Sequence, residues 1–284
     1  MDVSVIIPAR NEQFLEKTVK DILTKTKLKT EIIVVLDGYW PDWVNEYPGV
    51  HYVHFGAPRG MRAALNAGMD IAKGEYVMKL DGHCMVAEGF DKVLAETCAD
   101  NWVCVPTRHR LDAENWCINN EGRPPINYMY SSMAAGLGGE QWKDKNRNLN
   151  LETERVVNAI ALQGSCYFMR KSFWNELELL DDTNYGSSGR EAQEVAFKAW
   201  TSGGACVRVK DTWYAHLHKG KRYGRGYNLS RSEWDKSNRY ALNWFTNTAW
   251  PKQKISLQRI IDEHFPDMPE YDPALFSGGN DVPR

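Results

Sequence analysis

An α/β fold with a mostly parallel, Rossmann-like sheet and helices on both faces is predicted by three observations. Continuous apolar runs at Val3–Ile7, Glu31–Leu36 and Glu75–Leu80 have the pattern of strands buried on both sides. Segments of helical periodicity separate them, as in βαβ units with a parallel sheet. Each run also ends in polar residues: Pro8-Ala-Arg-Asn-Glu12, Asp37-Gly38 and Asp81-Gly-His83. Ligands of such sheets bind at the carboxyl ends of the strands.

The elements follow in order. After the first strand, Leu15, Val19, Ile22 and Leu23 recur at helical spacing. The unbroken strand Glu31–Leu36 then ends at Asp37. A third unit starts at Arg59-Gly-Met-Arg62 and carries Met61, Ala64, Leu65, Gly68 and Ala72 on one helical stripe. It leads into the strand that delivers Asp81. Period-two geometry puts Asp81 and His83 on the same side of the chain, where a carboxylate and an imidazole converge on one divalent cation. A turn with a solvated histidine is the plainer reading of the same triplet. Late in the chain, Ala192, Val195, Ala196, Ala199 and Trp200 form a core-facing helical stripe that leaves Glu191 and Glu194 as functional candidates. A glutamate at a helix start also serves simply as a dipole partner. The strand-like stretch Val207–Tyr214 precedes His216 and, two residues on, His218.

The segments VSVIIPARNE, IIVVLDG and RGMRAALNAGMDIAKGEYVMKLDGHC resemble GT-A glycosyltransferases of the family-2 type. In that family the first strand and the Asp after the second hold the nucleoside of the sugar donor, which implies roles for Pro8, Ala9 and Asp37. Asp81-Gly-His83-Cys84 is closer to the Asp-Ser-His-Cys of the polypeptide N-acetylgalactosaminyltransferases than to the more usual Asp-x-Asp. Arg59-Gly-Met-Arg62 is similar to that group's segment in which an Arg faces the donor, which implies Arg62. Gly164–Trp174 resembles the strand flooring the sugar pocket, and Gly189–Trp200 with Ser202-Gly-Gly204 resembles the Gly-Glu-Asn-x-Glu helix and its following turn. Asp211–His216 aligns with the segment whose histidine is the third metal ligand. The resemblance spans roughly residues 3–220 and implies Mn²⁺ or Mg²⁺ held by Asp81, His83 and His216, with His218 as the alternative third ligand. It also implies a nucleotide-sugar donor, expected to be UDP-linked. One departure matters: the usual Glu-Asp, whose Asp is the general base of inverting enzymes, is Glu191-Ala192 here. Glu191 is therefore either the base of an inverting reaction or an acceptor-orienting group in a retaining one.

A chain of 284 residues suits one large domain with an extension. The expected division is a GT-A domain over 1–220 and a lid with a C-terminal helical extension over 221–284. No run reaches the length of a membrane span and the N-terminus lacks a signal pattern, so the expectation is a soluble cytoplasmic protein without membrane contact. Six cysteines scattered without CxxC spacing suggest reduced, buried thiols rather than disulfides or zinc ligands.

The run His218–Tyr227 mixes hinge glycines with cations and reads as a mobile lid, with Lys219, Lys221 or Arg222 reaching the donor phosphate. Residues 219–239 carry seven Lys/Arg against two Asp/Glu, interleaved with Tyr223, Tyr227 and Trp234, in a chain of net charge −2. Such a run is usually a solvated face, but beside an active site it also suits a polyanionic acceptor. The tail at 250–266 resembles viral enzymes that glycosylate 5-hydroxymethylpyrimidines in DNA. That resemblance makes DNA the expected acceptor, with Arg222, Arg225, Arg231 and Arg239 on phosphates and Tyr223, Tyr227, Trp116 and Trp142 against the base. A protein Ser/Thr or a glycan is the alternative acceptor. A nucleotide-sugar-binding protein or nucleotidyltransferase is the competing class, disfavoured because no glycine-rich loop follows the first strand.

Overall fold

The computed structural model describes residues 1–42, 44, 46–125, 129–132, 138–141, 154–224, 230–246, 250–266 and 268. Its centre is one sheet in the order β10-β12-β6-β11-β4-β1-β2-β3. The strands are β1 (Val3–Ala9), β2 (Thr30–Asp37), β3 (Val50–Phe55), β4 (Tyr76–Leu80), β5 (Cys84–Val86), β6 (Trp102–Asp112), β7 (Cys117–Ile118), β8 (Met129–Ser132), β9 (Gly138–Gln141), β10 (Val156–Asn158), β11 (Cys166–Arg170) and β12 (Ala205–His216). Strands β3, β2, β1 and β4 run parallel, as do β6 and β12, while β11 lies antiparallel between these two sets. The edge strand β3, half-exposed and interrupted by His51 and His54, was not visible in the pattern of apolar runs.

Helices cover both faces because successive strand residues point to opposite sides. Val5, Ile7, Ile32, Val34 and Leu36 pack with α1 (Leu15–Lys25) and α3 (Phe90–Thr97). Ile6, Ile33 and Val35 face α2 (Met61–Ile71), whose Ala64, Leu65 and Met69 are buried against them. The same second core takes in α4 (Lys171–Glu176) and α6 (Glu191–Thr201), which follow β11 and a short helix α5 (Asp182–Tyr185). After β12 come α7 (Gly220–Tyr223), α8 (Arg231–Thr246) and α9 (Leu257–His264). Trp244, Trp250, Ile260, Ile261 and Phe265 of this C-terminal part are buried in that second core rather than forming one of their own. The 250–266 tail therefore packs through its apolar residues. Among the described residues no helix is long and apolar enough to cross a membrane.

Five cysteines are buried, and Cys117 is exposed, unlike the expectation for all six. Cys84 points into the core, where burial pushes its thiol well above its ordinary value. A neutral buried thiol is a poor zinc ligand.

Candidate active site

The carboxyl ends of β1, β2 and β4 open into a cleft of about 640 Å³. Pro8, Ala9, Asp37, Asp81, His83, Glu191, His216 and Lys219 all line it, as does His218. Asp81 follows β4 directly, and its amide donates to Ser165 O at 2.9 Å, beside β11. Gly82 has no room for a side chain, since a Cβ there would meet Glu12 Cγ at 2.8 Å and Leu15 Cδ1 at 3.3 Å. The short strand β5 then pairs with the end of β12, opposing Cys84 to His216. This pairing carries His216 across 135 residues of sequence to Asp81, with His216 Nε2 3.2 Å from Asp81 Oδ2.

One ligand atom from each of Asp81, His83 and His216 lies within 4.8 Å of the others. His218 is exposed and outside this group. The donor set fits a divalent cation: a carboxylate is a usual ligand of Mn²⁺ and Mg²⁺, and the two neutral imidazoles favour a transition metal such as Mn²⁺ over Mg²⁺. Glu12 completes the arrangement. Its Oε2 lies 2.9 Å from His83 Nδ1 and accepts from Lys219 Nζ at 2.6 Å, a pairing that fixes the His83 ring with Nε2 turned away from Glu12. Oε1 of Glu12 is buried without a partner among the described residues. On the other ligand, Arg108 donates to His216 Nδ1 at 2.8 Å.

Electrostatics separate the carboxylates. Burial alone raises Asp81, but Lys79, 2.6 Å away, together with His216 and His83 holds it well below the usual carboxylate range. Glu12 is likewise lowered: burial is outweighed by His83 and Lys219. Glu191 goes the other way. Burial raises its carboxyl above the ordinary glutamate value despite Lys79 at 3.9 Å and the hydroxyl of Tyr167, which donates to Oε1 at 2.7 Å. Burial also pushes His216 down to about 3, in spite of Asp81, which keeps the imidazole neutral near pH 7.

Asp37 is almost fully buried and accepts from Arg10, from Arg59 N at 2.6 Å and from Gly60 N at 3.0 Å. It fixes the loop after β3 against the end of β2. Gly60 is held at φ 100°, and a Cβ there would collide with Ser187 O at 2.5 Å.

Two predicted contacts are corrected. Arg62 does not face the cleft; its side chain is fully buried and ion-paired with Glu194. It also donates to Gly189 O at 2.7 Å and stacks on Tyr185 at 4.3 Å. An unscreened buried guanidinium needs a carboxylate, and α6 supplies it. Arg222 lies outside the cleft as well, exposed and paired with Glu114. Lys219 reaches the cleft but is occupied by Glu12. Arg225, Tyr227 and Trp142 lie outside the described residues, and Trp116 donates its indole N–H to Asp21 at 3.0 Å. The sequence reading missed Arg10, Lys79 and Tyr167 as cleft partners. Lys79 carried a signal: a lysine inside the apolar strand YVMKL must find a counter-charge, and Asp81 lies on the same side two residues later.

This α/β sheet, with its ligands gathered at the strand ends, is the GT-A architecture of glycosyltransferases. Residues 4–175 match the profile of Glycosyl transferase family 2, well over half of the chain, and the chain belongs to that family. It is 24% identical over 247 residues to N-acetylgalactosaminyltransferase 4 of Drosophila melanogaster, an alignment covering 79% of this chain and 37% of that protein. In fold it is similar to the crystal structure of GalNAc-T7 with UDP, GalNAc and Mn²⁺, at TM-score 0.73 and 19% identity over 93% of this chain and 54% of that one. It is also similar to S. aureus TarS 1-349 in complex with UDP-GlcNAc, at TM-score 0.55 and 14% identity over 85% and 66% of the two chains. The chain thus spans under half the length of the Drosophila relative and about half of GalNAc-T7.

Proposed function

We propose that this chain is a metal-dependent glycosyltransferase that moves a sugar from a UDP-sugar to a hydroxyl, and that the hydroxyl belongs to a polypeptide. The observation that carries the reading is the convergence of Asp81, His83 and His216 in one cleft with Glu191, at the strand ends of a family-2 core. When bound there, Mn²⁺ or Mg²⁺ would neutralise charge on the departing diphosphate. Pro8, Ala9 and Asp37 would border the nucleoside. In the transfer, the acceptor oxygen bonds to the anomeric carbon and the bond from that carbon to the diphosphate oxygen breaks. The bonding pair leaves with the diphosphate, and the hydroxyl proton is released.

Glu191 has two roles open to it. As a base it would take that proton, and its raised affinity for protons favours this. In a retaining reaction it would orient the acceptor. Lys79 and Tyr167 hold its carboxylate in either case.

Two further relatives, at 24% and 23% identity, are named putative polypeptide N-acetylgalactosaminyltransferase 9 of Drosophila melanogaster and polypeptide N-acetylgalactosaminyltransferase 12 of Mus musculus, and those names support a protein acceptor over DNA. The basic strip that motivated DNA offers less than its composition promised: Arg222 is paired with Glu114, and Lys236 donates to Thr183 O at 2.7 Å. The test is incubation with UDP-GalNAc, UDP-GlcNAc and UDP-glucose plus Mn²⁺, following free UDP. Ser/Thr peptides and 5-hydroxymethylcytosine DNA serve as acceptors. Peptide glycosylation that stops in EDTA is expected, and NMR of the product gives the anomeric configuration. Transfer to the DNA alone would reverse the acceptor assignment, and no UDP release from any donor would defeat the transferase reading.

A further inference from the structure

The lysines and arginines lining the cleft are Arg10, Lys79, Arg190 and Lys219. Three have carboxylate partners: Asp37 for Arg10, Asp81 and Glu191 for Lys79, and Glu12 for Lys219. Arg190 has none among the described residues. Its Nε donates to the neutral Asn238 Oδ1 at 2.6 Å, and its guanidinium carbon lies 5.8 Å from the Trp234 ring centroid. Burial lowers the Arg190 guanidinium from its ordinary value, and no neighbouring acid counters the effect. A half-buried cation of this kind leaves a charge for a ligand to complete.

The backbone adds an independent observation. Arg190 has φ 48°, a left-handed conformation that glycine adopts freely and arginine does not. Such outliers cluster at ligand sites, where surrounding structure holds them. Here the holding contacts come from α8: Trp234 and Asn238, one helical turn apart, share the face that meets Arg190. That helix lies beyond the residues matched to the family. Arg190 also immediately precedes Glu191, the residue assigned to the accepting hydroxyl. The donor's diphosphate charge already has the proposed cation at Asp81, His83 and His216.

We infer that Arg190 and Trp234 form an acceptor subsite for a carboxylate, so that the preferred acceptor is an acidic peptide with Asp or Glu next to the accepting hydroxyl. The guanidinium binds the carboxylate and the indole packs on its methylenes. This subsite rests on the proposed transferase reading.

The experiment compares matched Ser/Thr peptides flanked by Asp, Asn or Lys, using wild type, Arg190→Gln and Arg190→Glu with Mn²⁺ and the UDP-sugar that wild type cleaves. Wild type should favour the Asp peptide over the Asn peptide about tenfold or more in kcat/KM, the worth of a charge-assisted hydrogen bond. Arg190→Gln should bring this ratio close to one, and Arg190→Glu should turn the preference toward Lys. Each ratio is taken on one protein preparation, so partial loss of folded enzyme cancels. An unchanged ratio in Arg190→Gln would overturn the subsite. So would a rise in the Kd for UDP matching the fall in the ratio, which would put Arg190 on the donor. Donor cleavage by wild type without any peptide preference overturns the subsite alone. Failure to release UDP from every donor overturns the transferase reading and the subsite with it.

Discussion

The two walls of the cleft are built differently. On the wall from β1, β2 and β4, nearly every charge is satisfied internally: Asp37 by Arg10 and two backbone amides, Asp81 by Lys79, Glu12 by His83 and Lys219. On the wall from 187–193 and α8, Glu191 is protonated more readily than a free glutamate and Arg190 has no counter-charge among the described residues. A saturated wall is pre-organised and changes little when a ligand arrives. An unsaturated wall has its electrostatics completed by the ligand, which is where the proposed selectivity between acceptors would be set.

The sharpest way to break this contrast is Glu191→Gln. If Glu191 is the base, turnover should fall by about 10²–10⁴ while donor affinity falls far less. The wild-type rate should decline on acidification through an apparent pKa raised above that of an ordinary glutamate, because the raised carboxyl takes up its proton there and can no longer accept one. That acid limb should vanish in the variant, as a pH–rate series will show. Next comes the buried pair behind the wall. Arg62→Leu strands Glu194 and should cost about 3–5 kcal/mol of stability by chemical denaturation. An unchanged midpoint would mean that Lys198, 2.8 Å from Glu194, suffices. On the saturated wall, Asp81→Ala should lower turnover by about 10²–10³, the usual worth of one electrostatic stabiliser, with loss of the Mn²⁺ signal by electron paramagnetic resonance. The smallest effect belongs to Glu12→Gln. Glu12 would act on the proposed cation only through His83, so Mn²⁺ affinity should fall about 10- to 100-fold with the ligand set intact. Equal losses for Asp81→Ala and Glu12→Gln would make Glu12 a ligand itself.

The saturated wall was also the legible one. Its strands are unbroken apolar runs, and a parallel sheet puts the polar residues after each run at the same edge, so Asn11, Glu12, Asp37 and Asp81 could be placed from pattern, while Pro8 and Ala9 were implied by the family resemblance. Strand β3 escaped because an edge strand is wetted on one side, and VHYVHF has no continuous run to detect. Arg62 was misplaced for a different reason. Its position in the segment was right, but direction from a helix depends on which neighbour carries the opposite charge, and Glu194 is 132 residues away. Arg190 and Trp234 could not be paired in advance, since nothing local links a loop before one helix to the face of another more than 40 residues on. Composition misled at 219–239, where a count of cations says nothing about which are already paired.

The sequence separation of the site has a consequence in time. Asp81 meets His216 over 135 residues and Glu12 meets Lys219 over 207. Contacts of such separation bear the largest loop-closure cost and are slow to form. During synthesis the β1–β2–β4 part and its helices can collapse early. The three proposed cation ligands come together only when β12 docks beside β6 and β5 pairs with its end. A chain halted anywhere before residue 216 would present Asp81 and His83 without the third proposed ligand, so uptake of the proposed cation would follow the docking of β12.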